Sequence, residues 1–247
     1  MIDVTGLAAP TLLRAWEAGE PLRGVDRALA VLAAAGAAGA GDVAGLAALP
    51  LGRRDALLLE VHSGLGGPPL VALADCAGCD ATLEVRLDIA TLIEEYAGSV
   101  EPGPVGPGWR ELDLGTAAVR ARPPNSADLA ALDGRTDVDA IRAALVQRCV
   151  ASVSEDRPLT EEEVTRLAER LEALDPLADV RLDVGCAGCD ARTEVLLDVP
   201  ALVWARLRAA ARRLVVDVGA LATRYGWAEA DIVAMSPARR ELYLGLP

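Results

Sequence analysis

Apolar side chains alternate with their neighbours along four short stretches of the chain. Leu70, Ala72 and Ala74 set the pattern, and Val180, Leu182 and Val184 repeat it 110 positions later. Further on, Leu83, Val85 and Leu87 alternate with Glu84 and Arg86, and Val195 and Leu197 stand opposed to Glu194. Period-two alternation is the pattern of a half-buried strand, because successive side chains leave the backbone on opposite faces. Between the members of each pair lies the same pentapeptide, Cys76-Ala77-Gly78-Cys79-Asp80 in the first and Cys186-Ala187-Gly188-Cys189-Asp190 in the second. Two β-hairpins are predicted, each turning through a CxxC whose glycine lets the backbone wrap closely.

Where the alternation stops, helical spacing begins. Asp88 and Asp198 precede the apolar runs 89–96 and 199–225 as N-caps, and Pro200 falls in the first turn, where a missing N–H costs nothing. Another helical pattern stands ahead of each hairpin, at 54–62 and at 160–174, the second opened by a capping box of Thr160 and Glu163. The repeated unit is therefore strand, knuckle, strand, capped helix. A duplication with an internal pseudo-twofold arrangement is the expected origin.

The remaining segments are shorter. Residues 11–18 and 25–35 read as helices and 36–41, rich in Ala and Gly, as a flexible link. The Pro/Gly run 101–108 reads as a turn-rich connector, followed by a hairpin over 109–114 and 117–122. Pro123-Pro124 breaks that hairpin, Ser126 is expected to cap a short helix, and 138–149 forms an amphipathic helix. The C-terminal stretch should hold a helix closed by Gly226, a short helix with Trp227, Ile232 and Met235, and a last helix opened by Pro237 and bearing Tyr243. The expected fold class is α+β, mostly helical, with two duplicated β-hairpin zinc knuckles paired into a zinc-ribbon-like site of four cysteines. Its segments are an N-terminal helical region (1–50), a first helix-hairpin-helix repeat (51–100), a connector with hairpin and helices (101–159), and a second repeat with a C-terminal helical subdomain (160–247).

Composition narrows the function classes. A hydrophobic content of 52% with 3% aromatics and no Phe leaves Leu, Val and Ala to fill the core. The formal charge of -13 makes a nonspecific phosphate-binding surface a local exception at best, so nucleic acid is an unfavoured partner. The start of the chain lacks the basic-then-apolar order of a signal peptide, and 199–225 carries Arg206, Arg208, Arg212, Arg213 and Asp217, which marks an amphipathic helix and not a membrane span. A cytoplasmic location is expected, where CxxC pairs favour metal over disulfides.

The chemistry lies in the cysteines. Cys76, Cys79, Cys186 and Cys189 can supply the four soft ligands of one structural zinc ion. A redox dithiol is the competing reading, and it calls for a CxxC at a helix N-terminus beside a cation; here an Asp and a strand pattern follow each pair. Four unliganded thiols complete the alternatives. Cys149 falls on the apolar face of its helix with Ile141 and Leu145, as a small buried hydrophobe. His62, the one histidine, has no second His to form a ligand set and reads as a helix-surface or core residue. Carboxylate runs such as Glu94-Glu95 and 161–163 read as solvated helix faces, as does the Arg cluster at 206, 208, 212 and 213, for which a surface serving an acidic partner is the alternative. No GxSxG, HExxH or phosphate-loop pattern is present, so no catalytic residue is expected.

The twin CxxC pairs occur together with Tyr225-Gly226-Trp227, an acidic short helix, and Ser236-Pro237 followed by Arg239-Arg240 and Tyr243. The middle stretch Arg122-Pro123-Pro124-Asn125-Ser126-Ala127-Asp128-Leu129 is similar to an R-x-P-T-S-x-D-L-like segment, with Pro124-Asn125 in place of its usual residues. In this combination residues 53–247 resemble the baseplate hub assembly proteins of contractile phage tails and of phage-tail-like contractile injection systems. The resemblance implies a non-enzymatic assembly factor or chaperone whose partners are baseplate and tail structural proteins. It supplies no catalytic residues, and the zinc expectation rests on the cysteine spacing of this chain. A zinc-ribbon nucleic-acid-binding regulator, and after it a CxxC thiol oxidoreductase, are the alternatives from other classes.

Overall fold

The computed structural model describes residues 7–36, 42–66, 70–99, 108–154 and 157–246. In chain order its elements are α1 (Ala9–Gly19), α2 (Gly24–Ala34), α3 (Val43–Ala47), α4 (Leu51–Gly64), β1 (Leu70–Asp75), β2 (Thr82–Leu87), α5 (Ile89–Ser99), β3 (Arg110–Asp113), β4 (Ala118–Ala121), α6 (Ser126–Ala130), α7 (Val138–Cys149), β5 (Val150–Val153), α8 (Glu161–Leu174), a 3-10 turn at Pro176–Ala178, β6 (Arg181–Gly185), β7 (Arg192–Leu196), α9 (Val199–Tyr225), α10 (Glu229–Ala234) and α11 (Pro237–Leu244). Most of the expected link 36–41 and of the connector 101–108 lies outside the described residues. Among the described residues no helix is long and apolar enough to cross a membrane.

The main core forms around α9, which buries Val199, Val203, Leu207, Ala211, Leu214, Val218 and Leu221. These positions recur at three- and four-residue steps, so one stripe of a 27-residue helix faces inward. Against it pack Leu57, Leu58, Leu59 and Val61 of α4, with Leu12 and Ala15 of α1 and Leu29, Val31 and Leu32 of α2. Asp198 caps α9 through the Ala201 N–H at 3.0 Å, and Gly226 ends it in the left-handed conformation that closes helices. Both ends follow the sequence expectation.

A second, smaller core joins the three-stranded sheet β3-β4-β5 to α8 through Leu114, Val119, Ala121 and Leu167. The segment after β4 ties this unit to α4: Pro50 bridges Asn125, and Leu51 N–H donates to Pro124 O at 3.1 Å. The cap of α6 differs from the expectation. Asn125, not Ser126, is the N-cap, in a reciprocal box with Asp128, and Ser126 is buried inside the first turn. The pattern hid this because both residue types cap well and the two are adjacent.

The two cysteine hairpins share one geometry. Ala72 faces Val85 and Leu182 faces Val195, partners at the same offset of 110 positions. They do not pair with each other. Each is a separate two-stranded sheet among the described residues, so the expected pairing of the hairpins is not seen there, and the hairpins meet at their tips and the strand ends beside them. The correspondence weakens beyond the hairpins and their N-capping aspartates. Whereas α4, ahead of the first hairpin, lies in the main core, α8, ahead of the second, packs on the small sheet. In length, too, α9 outruns α5, 27 residues to 11.

Candidate metal centre

Each CxxC forms the tip of its hairpin because the strand ladder closes just behind it. Cys76 N–H donates to Ala81 O and Cys186 N–H to Ala191 O, both at 2.9 Å, which turns the intervening residues outward. The two tips then face each other. Ala77 N–H of the first donates to Thr193 Oγ1 of the second at 3.0 Å, and Cys76, Leu83 and Cys186 form a small buried cluster with Cys79, Val184 and Ala191 against it. Asp190 takes a left-handed φ of 58°, a conformation that Asp tolerates better than most residues.

All four expected ligands converge. The ligand atoms of Cys76, Cys79, Cys186 and Cys189 lie within 4.8 Å of one another, with Cys76 Sγ 3.6 Å from Cys189 Sγ and Cys79 Sγ 3.8 Å from Cys186 Sγ. A tetrahedron of thiolates with metal–sulfur bonds of about 2.3 Å has edges of about 3.8 Å. The spacing therefore suits a single ion bridging both tips, whereas a disulfide needs sulfurs about 2.05 Å apart. Cys76 and Cys186 are buried, Cys79 is half-buried and Cys189 is exposed.

Backbone N–H groups supply the supporting electrostatics. Gly78 donates to Cys76 Sγ at 3.3 Å and Gly188 to Cys186 Sγ at 3.4 Å, so the third residue of each CxxC turns its amide onto the first thiol. The Gly78 amide leads in lowering the Cys76 thiol to about 6, aided by Cys189, Cys186 and the Cys79 amide against the opposing effect of burial. For Cys189 the Ala191 amide favours the thiolate, but Cys79, Cys76, burial and Cys186 together push it up to about 12. The Cys76 thiolate forms readily and Cys189 resists ionising beside it, which is the condition a divalent cation relieves. Neither CxxC sits at a helix N-terminus, the location a redox dithiol calls for.

The other singled-out residues stand apart from the cluster. Cys149 is buried at the end of α7, and burial pushes its thiol up to about 11. His62 is buried in α4 with neither ring nitrogen hydrogen-bonded. Glu161 and Glu162 are exposed as expected, but Glu163 is not a solvated carboxylate. Arg157 holds it through contacts of 2.7 and 2.8 Å, with Thr116 at 2.8 Å and the Thr160 amide at 2.8 Å, and its carboxyl stands well below the usual range. In the Arg cluster, Arg206 and Arg208 are half-buried and Arg212 and Arg213 exposed.

Sequence reasoning passed over a second polar centre. Arg122 clasps Asp128 with contacts of 2.6 and 3.0 Å, Arg148 Nε donates to the same carboxylate at 2.9 Å, and Asn125 N–H adds a fourth bond at 3.0 Å. Beside it the buried pair Arg54 and Asp55 reaches Ser126 Oγ. The signal was available in Asn125-x-x-Asp128, a capping box three residues after an arginine. No family model matches the chain, and no curated protein or solved structure matches it either.

Proposed function

We propose that the protein is a non-enzymatic assembly factor held together by one structural zinc ion on Cys76, Cys79, Cys186 and Cys189. The observation that carries the zinc is the set of sulfur separations, 3.6 and 3.8 Å across the two hairpin tips. Four protein thiolates leave no open coordination position, so the ion supplies cross-linking and no Lewis-acid chemistry. The need for a cross-link is visible in the hairpins themselves. Two-stranded sheets are marginal alone, and Leu73 and Leu196 are exposed on these, so the small cluster at the tips has little apolar burial with which to hold them together. A metal there joins points 110 residues apart.

Support for the assembly role is the resemblance of residues 122–129 and 225–243 to baseplate hub assembly proteins. Both stretches are rigidly built: the first is the Arg122–Asp128 clasp, and the second holds Tyr225 stacked on Trp227 at 4.5 Å with Tyr243 edge-on to both. The expected partners are baseplate and tail structural proteins. Native mass spectrometry should find one zinc per chain, lost in Cys186→Ala, and the purified protein should retain baseplate subunits in a pull-down. Two ions or none would reject the shared site; failure to retain any baseplate subunit would reject the assembly role.

A further inference from the structure

We infer that the cleft between α1, α9, α10 and α11 docks an acidic, aliphatic segment of a partner protein, with Arg206, Arg213 and Arg240 receiving its carboxylates. The inference rests on the reading of the chain as an assembly factor and assigns it a surface and a partner chemistry. The cleft measures about 1120 Å³, more than the ~300–1,000 Å³ of ordinary small-ligand sites. Its apolar lining includes Leu12, Leu214, Val233 and Leu244.

The arginines are the unusual feature. Arg240 is 6% exposed and spends one Nη on Met235 O, while Arg206 spends one on Gly66 O at 2.6 Å. In both, the buried Nε has no acceptor. Among the described residues, none of the three forms an ion pair, although carboxylates outnumber cations by 13 in this chain and every arginine in the ion pairs described precedes residue 199. Residues 199–246 reverse the balance, with seven arginines to four carboxylates. Enclosed guanidinium N–H groups without acceptors are costly, and a planar carboxylate is the group that best satisfies them.

The same lining selects among anions. No aromatic side chain lines the cleft, so bases have nothing to stack on, and Asp217 and Glu241 on its wall oppose a continuous polyanion. A segment that alternates carboxylates with aliphatic side chains satisfies both the arginines and the floor.

The test uses the full chain, zinc-loaded, and a short fluorescein-labelled peptide of alternating Glu and Leu, with a Gln/Leu peptide as control, read by fluorescence anisotropy. The Glu/Leu peptide should bind and the control should not. Arg213→Glu, on the exposed wall, should weaken binding about tenfold, as should Arg206→Gln, while Arg170→Glu on α8 should leave it unchanged. Circular dichroism and zinc content establish that each variant is folded. Equal binding of both peptides, or no effect of Arg213→Glu, overturns the proposal, as does displacement of the peptide by a single-stranded oligonucleotide of equal charge. Tighter peptide binding after deletion of residues 1–6 would assign the cleft to the chain's own N-terminus and overturn it as well. Failure here with a successful baseplate pull-down removes the cleft alone; peptide binding without any pull-down removes the assembly role and leaves the cleft.

Discussion

Gly78 and Ala191, from opposite hairpins, approach so closely that a β-carbon on Gly78 would lie 2.6 Å from that of Ala191 and 3.1 Å from Cys189 Sγ. The second knuckle has no such constraint, since a β-carbon on Gly188 would meet only Cys186 Sγ, at 3.7 Å. The two knuckles share a sequence but not a tolerance. Gly78→Ala must push the tips apart and is expected to cost about 1–3 kcal/mol of stability, the usual range for overpacking, and to loosen the metal. Gly188→Ala should stay within about 0.5 kcal/mol of the parent. Thermal melts and zinc release to a colorimetric chelator measure both, and equal behaviour of the two variants would count against the described packing of the tips.

Asp128 should be a sensitive carboxylate, since two arginines and an amide converge on it. Burial alone would raise its pKa, but the Arg122 bonds, the Asn125 amide and Arg148 outweigh that and hold it below the ordinary value. A depressed folded-state pKa means stability that is present above the unfolded value of about 4 and lost as the pH falls through the folded one. Asp128→Asn keeps the shape but leaves Arg122 uncompensated where the residue it paired with is fully buried, at an expected cost of about 3–5 kcal/mol. Urea denaturation at pH 7 tests this. A loss below 1 kcal/mol, on the order of a surface pair, would show that the clasp is not a structural anchor.

What the sequence disclosed and what it concealed follow from the range of the interactions concerned. Alternation, N-caps and CxxC spacing are local, and they placed the hairpins, Asp198, Gly226 and the convergence of four cysteines. The separateness of the two hairpin sheets was not legible, because a strand pattern carries no information about which edge pairs with which. Glu163 looked like one of three solvated glutamates because, beyond its capping box with Thr160, Thr116 reaches it across 47 residues and Arg157 from the irregular stretch ahead of the helix, where no periodicity marks a partner. Similarly, Asp175 accepts from Gly52 N–H at 2.9 Å across 123 residues, tying the start of α4 to the far side of α8. No periodicity records such a contact.

His62 should make stability fall below neutral pH. Burial first, and Arg206 second, hold its pKa below the ordinary value, so the unfolded chain takes up a proton before the folded one does. Stability then rises with pH across this interval and falls as the pH drops from about 7, by at most about 1.4 kcal/mol per pH unit for one proton. His62→Leu removes both the titration and two ring nitrogens without partners, and should flatten the profile between pH 7 and 5 while leaving stability at pH 7 equal or higher. The comparison is made with zinc in excess so that thiolate protonation affects both proteins alike. Parallel profiles would show that His62 takes up its proton as readily in the folded chain as in the unfolded one, and so that burial does not lower its pKa.

Cys149 distinguishes a bound metal from simple burial as the source of thiol protection. It shares inaccessibility with Cys76 and Cys186, yet lies in α7, apart from the four-sulfur cluster, and its protection is packing alone. With zinc bound, a thiol reagent should find none of the five cysteines, including Cys189, whose exposed position leaves coordination as its only shield. A chelator should release the four knuckle thiols together, and Cys149, held up to about 11 by burial, should react only on unfolding. Cys149→Ala should keep the full zinc content. Reaction of Cys189 in the zinc-loaded protein at the rate of a free thiol would show that it is not a ligand and would reduce the centre to three sulfurs.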